Sequence, residues 1–457
     1  MTDQPARSED AASEIAPQRD AETSMQRWNY VVFVLQGIVV SSSKRVGSAH
    51  LLMPYLYVAS GSPVFLAGML MPIISASRLI GQIVFAPFVS ASRTRKWFLF
   101  AGWIATAIGL AAAGLAVLLP IHWIVMVIFV CAALAMGIAK GVNALAFNDL
   151  ISLNVSRWRR NSGIFAMSAA GGVVTISVTW LMYHLSTGRD TVDHYFSLAL
   201  GAAGVTALAG IIILFFREKE HTPKVYTRTS ASGASIQHSK PTLLQRMEKL
   251  PQVLRYEWFR RYLWMKCITA TVILAMPFYA VHGATHHVHK HAAGLSAFVI
   301  ATSIAVIVCG PMWRWLGKRS QRFSMALGCT LVGLAGVWAL TIENVDALKT
   351  VVAHSFVFAA AAAGIQGVNG SRMLYLIDAA PKEDLTYYVA VSNTVSAVVA
   401  LILAAFFGYI GQLQGVIWPV VLVMALNFAS AAYSLTLHEP NPDEPPAGQA
   451  TESPASS

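Results

Sequence analysis

Four basic side chains, Lys44, Arg45, Arg78 and Lys140, stand inside long apolar stretches of this chain. A cation at the centre of a bilayer costs about 2.5–3.5 kcal/mol on insertion scales, and it persists where a wet cavity or a partner receives it. Acidic partners are scarce. The chain holds 22 Asp and Glu, and nearly all fall in the two tails, the central connection or the ends of apolar segments. Asp149 alone belongs to a long apolar stretch. Bases without acids suit the binding of an anion: a guanidinium grips carboxylate or phosphate bidentately, and an ammonium acts as a mobile point charge. Three or four such groups can hold a mono- or dianion. The alternative for any one of them is a side chain that snorkels to the membrane edge or bonds backbone carbonyls.

Helical spacing extends the candidate site. Gly37, Ser41, Lys44 and Ser48 recur at intervals of three and four, as do Ser41, Arg45 and Ser48, giving a small polar arc flanked by bases. Small polar residues also pack helices together, which is the plainer reading of the serines. Lys140, Asn143 and Phe147 share one face, and Gln366, Asn369 and Met373 repeat the pattern later in the chain. Lys266 adds a charge from the second half unless it snorkels past Arg260 and Arg261. His50, five residues beyond Arg45, is the proton-coupling candidate, since an imidazole titrates near pH 6.5. Asp149 with Arg157, Arg372 with Asp378, and the loop bases Arg93 and Arg319 are candidates for gating.

Other chemistry finds little support. The run from His282 to His291 holds five histidines, so His286, His287, His289 and His291 form a weak candidate for zinc or copper. Without acid or thiol ligands it reads first as a mobile loop, and no metal site is assigned. Cys131, Cys267, Cys309 and Cys329 are isolated packing residues. Nothing resembles a nucleophile elbow, a phosphate loop or a zinc-protease helix. The expectation is no cofactor and no enzymatic activity.

The elements that must carry these residues follow from composition. Hydrophobic residues make up 56% of the 457 and charged residues 12%, against about 25% charged in a soluble domain. A water-soluble globule, a disordered chain and a nucleic-acid binder are thereby excluded, despite a formal net charge of +11. On a ruler of about 20 apolar residues per span, twelve segments appear near 28–58, 64–90, 97–118, 121–149, 163–185, 194–216, 259–281, 292–314, 323–341, 348–371, 385–410 and 414–436. Basic residues crowd the even-numbered connections, which places both termini in the cytoplasm of a multi-pass inner (plasma) membrane protein. No cleavable signal is visible at the N-terminus. The expected organisation is a disordered tail over 1–27, a six-helix bundle over 28–216, a cytoplasmic linker over 217–258, a second bundle over 259–437 and a disordered tail over 438–457.

The halves repeat. Gly141-Val142-Asn143 matches Gly367-Val368-Asn369 at an offset of 226, and the same offset brings Arg93 onto Arg319, Lys96 onto Arg322, Gly102 onto Gly328 and Gly68 onto Gly294. Met53-Pro54-Tyr55 matches Met276-Pro277-Phe278 at 223. The fold class is therefore all-α and polytopic, with 12 transmembrane helices in two pseudo-symmetric six-helix bundles. At the matched positions Lys44, Arg45, Arg78 and Lys140 face Cys267, Ile268, Ile304 and Gln366, so the architecture itself does not require the four charges.

Twelve spans, the six-plus-six repeat, a long middle connection and basic clusters after spans 2 and 8 resemble the major facilitator superfamily of secondary transporters. The family's loop motif, Gly-x-x-x-Asp-x-x-Gly-Arg-Arg or Lys, is degenerate here: Pro87 to Lys96 keeps the basic end and lacks the glycines and the Asp. Span 5 lacks the Gly-Pro signature that resembles proton-antiporting drug exporters. The resemblance implies that spans 1, 4, 7 and 10 line a central cavity, with 2, 5, 8 and 11 beside them. The reading that results is a monomeric secondary transporter of an organic anion, working by alternating access and open to symport. An anionic-lipid or lysolipid flippase and a multidrug or metabolite exporter are the alternatives, ahead of a membrane enzyme or sensor. The expected partners are a small anion and the lipid bilayer.

Overall fold

The computed structural model describes residues 6–48, 51–92, 94–154, 157–185, 191–218, 227–229, 235–237, 254, 256–287, 293–380 and 385–438. Fourteen α-helices occur among them. The first half contains α1 (Ala6–Val46), α2 (Leu52–Ala59), α3 (Val64–Ala91), α4 (Lys96–Ala116), α5 (His122–Asn154), α6 (Arg157–Leu185) and α7 (Thr191–Leu214). The second contains α8 (Glu257–Ile268), α9 (Ala270–His287), α10 (Ala293–Arg319), α11 (Gln321–Asn344), α12 (Val351–Ala379), α13 (Leu385–Gln414) and α14 (Ile417–Leu435). A 3-10 turn at Asp346–Leu348 and a small antiparallel hairpin, β1 (Thr227–Thr229) with β2 (Ser235–Gln237), complete the described elements. The hairpin lies in the middle connection, so the bundles themselves are all-α.

Ten helical stretches are long and apolar enough to cross a membrane, and the apolar end of α6, Ala170–Leu185, is a shorter eleventh. The remaining span is the pair α1 and α2. The twelve expected segments thus become fourteen helices, because spans 1 and 7 are each broken in the middle. Pro54 stands in the first turn of α2, where a residue without an N–H is best tolerated in a helix. In span 7 the break falls at Thr269, whose hydroxyl donates to the carbonyl of Met265 at 2.8 Å; such back-bonding bends a helix. At the offset of 223 Thr269 matches Val46, the last residue of α1, so the two breaks lie next to each other in register and do not coincide. The other departure is at the N-terminus, where α1 begins at Ala6, so helix occupies most of the length expected to be an irregular tail.

The halves meet along α3 with α13 and along α6 with α10, and the tip of α2 abuts α9. Their apolar cores show how they meet. On the side away from the termini a single buried cluster joins both halves, including Tyr55, Leu70, Phe278, Phe298, Phe358 and Phe407. The rings of Tyr55 and Phe298 touch edge to face across the interface, and buried His194 of α7 bonds Ser296 of α10 at 3.0 Å. On the side of the termini the core is divided. One cluster around Phe33, Leu99 and Phe216 belongs to the first half, and another around Phe259, Tyr262 and Tyr375 belongs to the second. The molecule is closed at the far side and parted at the side of the termini.

Polar devices hold each half together. The Glu218 carboxylate accepts from the backbone N–H groups of Arg95 and Lys96 at 2.8–3.2 Å, capping the N-terminus of α4 where a helix favours an anion. Ser320 and Thr350 cap α11 and α12. Buried His282 of α9 bonds Glu343 of α11 at 3.1 Å, so this histidine lies in a helix and not in the loop expected for the His282–His291 run.

Glycines set the closeness of α3 to α5. A Cβ on Gly81 would meet the carbonyl oxygen of Ile138, with the Ile138 Cα only 2.9 Å away. Since backbone cannot move aside, Gly81→Ala is expected to cost about 1–3 kcal/mol by overpacking, read as a lower melting temperature of the purified protein. Gly204→Ala, which meets nothing within 4 Å inside α7, should melt no lower than the unaltered chain, since Ala is favoured over Gly in a helix interior.

Candidate functional site

Between the parted halves lies a cavity of about 380 Å³, walled by α3, the two pieces of span 7, α12 and α13. Arg78 and Gln82 reach it from α3, Lys266 from α8, Asn369 and Arg372 from α12, and Asn393 from α13. Among the described residues, three bases and no acid line it. The broken span 7 is what admits Arg372: one of its guanidinium nitrogens donates to Thr269 Oγ1 at 3.3 Å, at the break, and another to Asn369 Oδ1 at 2.8 Å. Lys266 is only 6% exposed. Its ammonium donates to Ser392 Oγ at 2.8 Å and to Asn393 Oδ1 at 2.6 Å, and it lies 5.9 Å from the ring of Tyr262. All these partners are neutral acceptors. They solvate the two cations without cancelling their charge, which leaves an electropositive field in the cavity.

The first-half bases divide. Lys44, Arg78 and Lys140 lie within coulombic reach of one another, so this trio extends the basic region from the cavity wall toward α1 and α5. Arg45 points elsewhere. A Cβ on Gly172 of α6 would come within 2.6 Å of its guanidinium and also meet Ile307 of α10, so Arg45 sits at the contact of α6 with α10 and is not among the cavity-lining residues. Adjacent residues on a helix point about 100° apart, which separates it from Lys44.

Other expected site residues are turned away. Asn143 packs against Gly102 of α4 and is buried, because its position on α5 faces the outer ring of helices. Ser41 packs on Gly171 of α6, and the neighbouring hydroxyls pin α1 sideways: Thr175 donates to Ser42 at 3.2 Å, and Ser43 pairs with Thr206 at 2.6 Å. The serines of span 1 are packing residues here. Ser48 lies at the break, where its carbonyl receives Leu51 and Leu52. Gln366 is half-buried and absent from the lining, whereas Asn369, one turn on, faces the cavity.

The gating expectations also change. Arg372 does not pair with Asp378, which instead accepts from Gln321. Six residues along a helix turn the side chain by about 240°, so Arg372 looks into the cavity while Asp378 looks toward α11. Arg319 lies over the ring of Trp315 at 4.1 Å. Lys266 reaches across to α13 and does not snorkel. His50, Arg93, His289 and His291 lie outside the described residues, and the side chains of Asp149, Arg157, His286 and His287 are likewise outside them. The sequence reading missed Ser392 and Asn393; their signal was the polar cluster 392, 393 and 396 in an otherwise apolar span, together with the need of Lys266 for acceptors.

A family model described as Major Facilitator Superfamily matches residues 45–347 and, in a second match, 267–457. The chain belongs to the Major Facilitator Superfamily. An uncharacterised protein of Mycobacterium tuberculosis is 25% identical over 414 residues, covering 88% of this chain and 75% of that protein, and one of Mycobacterium bovis matches to the same extent. Among solved structures, the partially occluded inward-open xylose transporter XylE from E. coli aligns with TM-score 0.63 at 10% identity, covering 89% of this chain and 98% of that one. The nucleoside transporter NupG aligns with TM-score 0.57 at 12% identity, covering 90% and 98%. A POT family transporter in complex with 5-aminolevulinic acid aligns with TM-score 0.61 at 11% identity, covering 88% and 95%. As a superfamily member with a transporter's fold, the chain is a multi-pass membrane transporter and not an enzyme.

The orientation of Asn369 and Asn143 gives a direct check. In a cysteine-free background, Asn369→Cys should react with a charged, membrane-impermeant thiol reagent applied from the side of the termini. Asn143→Cys, packed on α4, should stay unlabelled until the protein is denatured.

Proposed function

We propose that the protein is a secondary active transporter of an organic anion, working by alternating access, with the anion held between Arg78 of the first half and Lys266 and Arg372 of the second. The carrying observation is the lining of the cavity: among the described residues, three bases from both halves and no acid. The similar transporters carry or bind unlike cargoes, xylose, nucleosides and 5-aminolevulinic acid among them, so fold alone does not choose the cargo. The residues of this chain favour an anion.

The mechanism follows from charge. With the cavity empty, closing the parted side would bring Arg78 and, behind it, Lys44 and Lys140 toward Lys266 and Arg372 in a medium of falling dielectric, where like charges repel strongly. A bound anion removes that penalty, so it favours the closed state over the open one and thereby drives the conformational change. Ser392, Asn393, Asn369 and Thr269 keep the second-half bases oriented while the site is empty. The excess of bases in the connections on the side of the termini supports a cytoplasmic placement of both termini in the plasma membrane. His50 stays the candidate for proton coupling, which would make the carrier a symporter, and the protein acts as a monomer.

Equilibrium binding of a panel of carboxylates to the purified protein, followed by uptake into proteoliposomes, tests this. Each charge-assisted hydrogen bond lost should cost about 1.5–3 kcal/mol, so Arg78→Ala and Arg372→Ala are expected to weaken anion binding about ten- to hundredfold. Arg45→Ala should leave affinity unchanged. Folded Arg78→Ala and Arg372→Ala proteins that bind anions normally would overturn the proposal, as would a panel in which only cations bind.

A further inference from the structure

The cavity is polarised along the membrane normal, and all four of its walls agree. Span 7 runs away from the side of the termini, and along it Lys266 comes first and Ile273 and Leu274 after. α3 and α12 run the opposite way, and in them the apolar residues come first: Met71 and Pro72 before Arg78 and Gln82, Ile365 before Asn369 and Arg372. α13 rises from Asn393 to Ala397 and Ala400. Every charged and amide side chain therefore lies at the open mouth, and the blind end is apolar. The two hydroxyls deeper in spend their protons on their own helices, Ser75 on Met71 O at 3.0 Å and Ser396 on Asn393 O at 3.2 Å.

From this arrangement we infer that the cargo is an amphipathic organic anion, an alkyl or aryl acid that enters apolar end first and leaves its anionic head among Arg78, Lys266 and Arg372. The inference rests on the anion site proposed above and adds the class of anion. A polyol or nucleoside pushed against Ile273, Leu274 and Ile365 would bury hydroxyls without partners, which is unfavourable. A compact inorganic anion would occupy the mouth and leave the blind end unfilled. The rise from Lys266 to Leu274 is about 12 Å at 1.5 Å per residue, a depth that head and apolar body share, so the cavity of about 380 Å³ takes a small organic acid.

Isothermal titration of the full-length protein with straight-chain monocarboxylates from acetate to octanoate, with inorganic phosphate and with octanol, reads this directly. Affinity should rise about fourfold with each methylene, the gain expected for transferring it out of water, and octanol and phosphate should both bind far more weakly than octanoate. Ile365→Asn should flatten the gain per methylene, and Ala397→Leu, which fills the blind end, should move the preference toward shorter acids. Arg78→Ala should weaken every acid alike. If acetate or phosphate binds as tightly as octanoate, the amphipathic class is wrong and the anion site stands. If octanol matches octanoate, or no acid binds, the anion site itself is wrong. If the gain per methylene in Ile365→Asn and in Ala397→Leu equals that of the unaltered protein, the alkyl chain is partitioning into detergent and not into this cavity, and the inference fails.

Discussion

The cost of an unneutralised cation in hydrocarbon governs the arrangement of this protein. Arg78, Lys266 and Arg372 are tolerable because they face a hydrated cavity or neutral acceptors, and that demand shapes their surroundings. Span 7 breaks at Thr269, which lets Arg372 reach the Thr269 hydroxyl. α13 places Ser392 and Asn393 opposite Lys266. Neutral partners solvate a charge and preserve it, which is what a site for an anion needs and a purely structural ion pair would abolish.

The second requirement is that such a cavity be reached from one side at a time. Apolar packing does this at the far side, where the cores of both halves fuse around Tyr55, Phe278, Phe298 and Phe407. At the side of the termini each half keeps its own core. Within each bundle, glycines let α3 approach α5 and α11 approach α12 closely, so each half is tightly packed. The halves can then move as bodies about the site between them.

Much of the architecture was legible in the sequence because it rests on periodicity: the apolar stretches reappear as helices. The breaks in spans 1 and 7 were not read, although Pro54 and Pro277 marked the neighbourhood. At the site, charge was legible and direction was not. Arg78 was identified from its cost in a membrane. Arg45, with the same cost, faces the contact of α6 with α10, and Asn143 faces α4, because a shift of one residue on a helix changes the neighbour completely. Arg372 was assigned to Asp378 by proximity in sequence, where a rotation of about 240° separates them. The spacing of three and four in the span 1 serines reported helix packing, the reading such residues usually carry.

The central claim is that the bases of both halves hold one anionic cargo at the mouth of an apolar pocket. A cryo-EM map of the protein saturated with a heavy-atom-labelled alkyl carboxylate tests it most directly. Density for the head is expected between Arg78, Lys266 and Arg372, with the label deep against Ile273, Leu274 and Ile365. Density at Arg45 on the other side of the bundle, or a label at the mouth with the head buried, would contradict it.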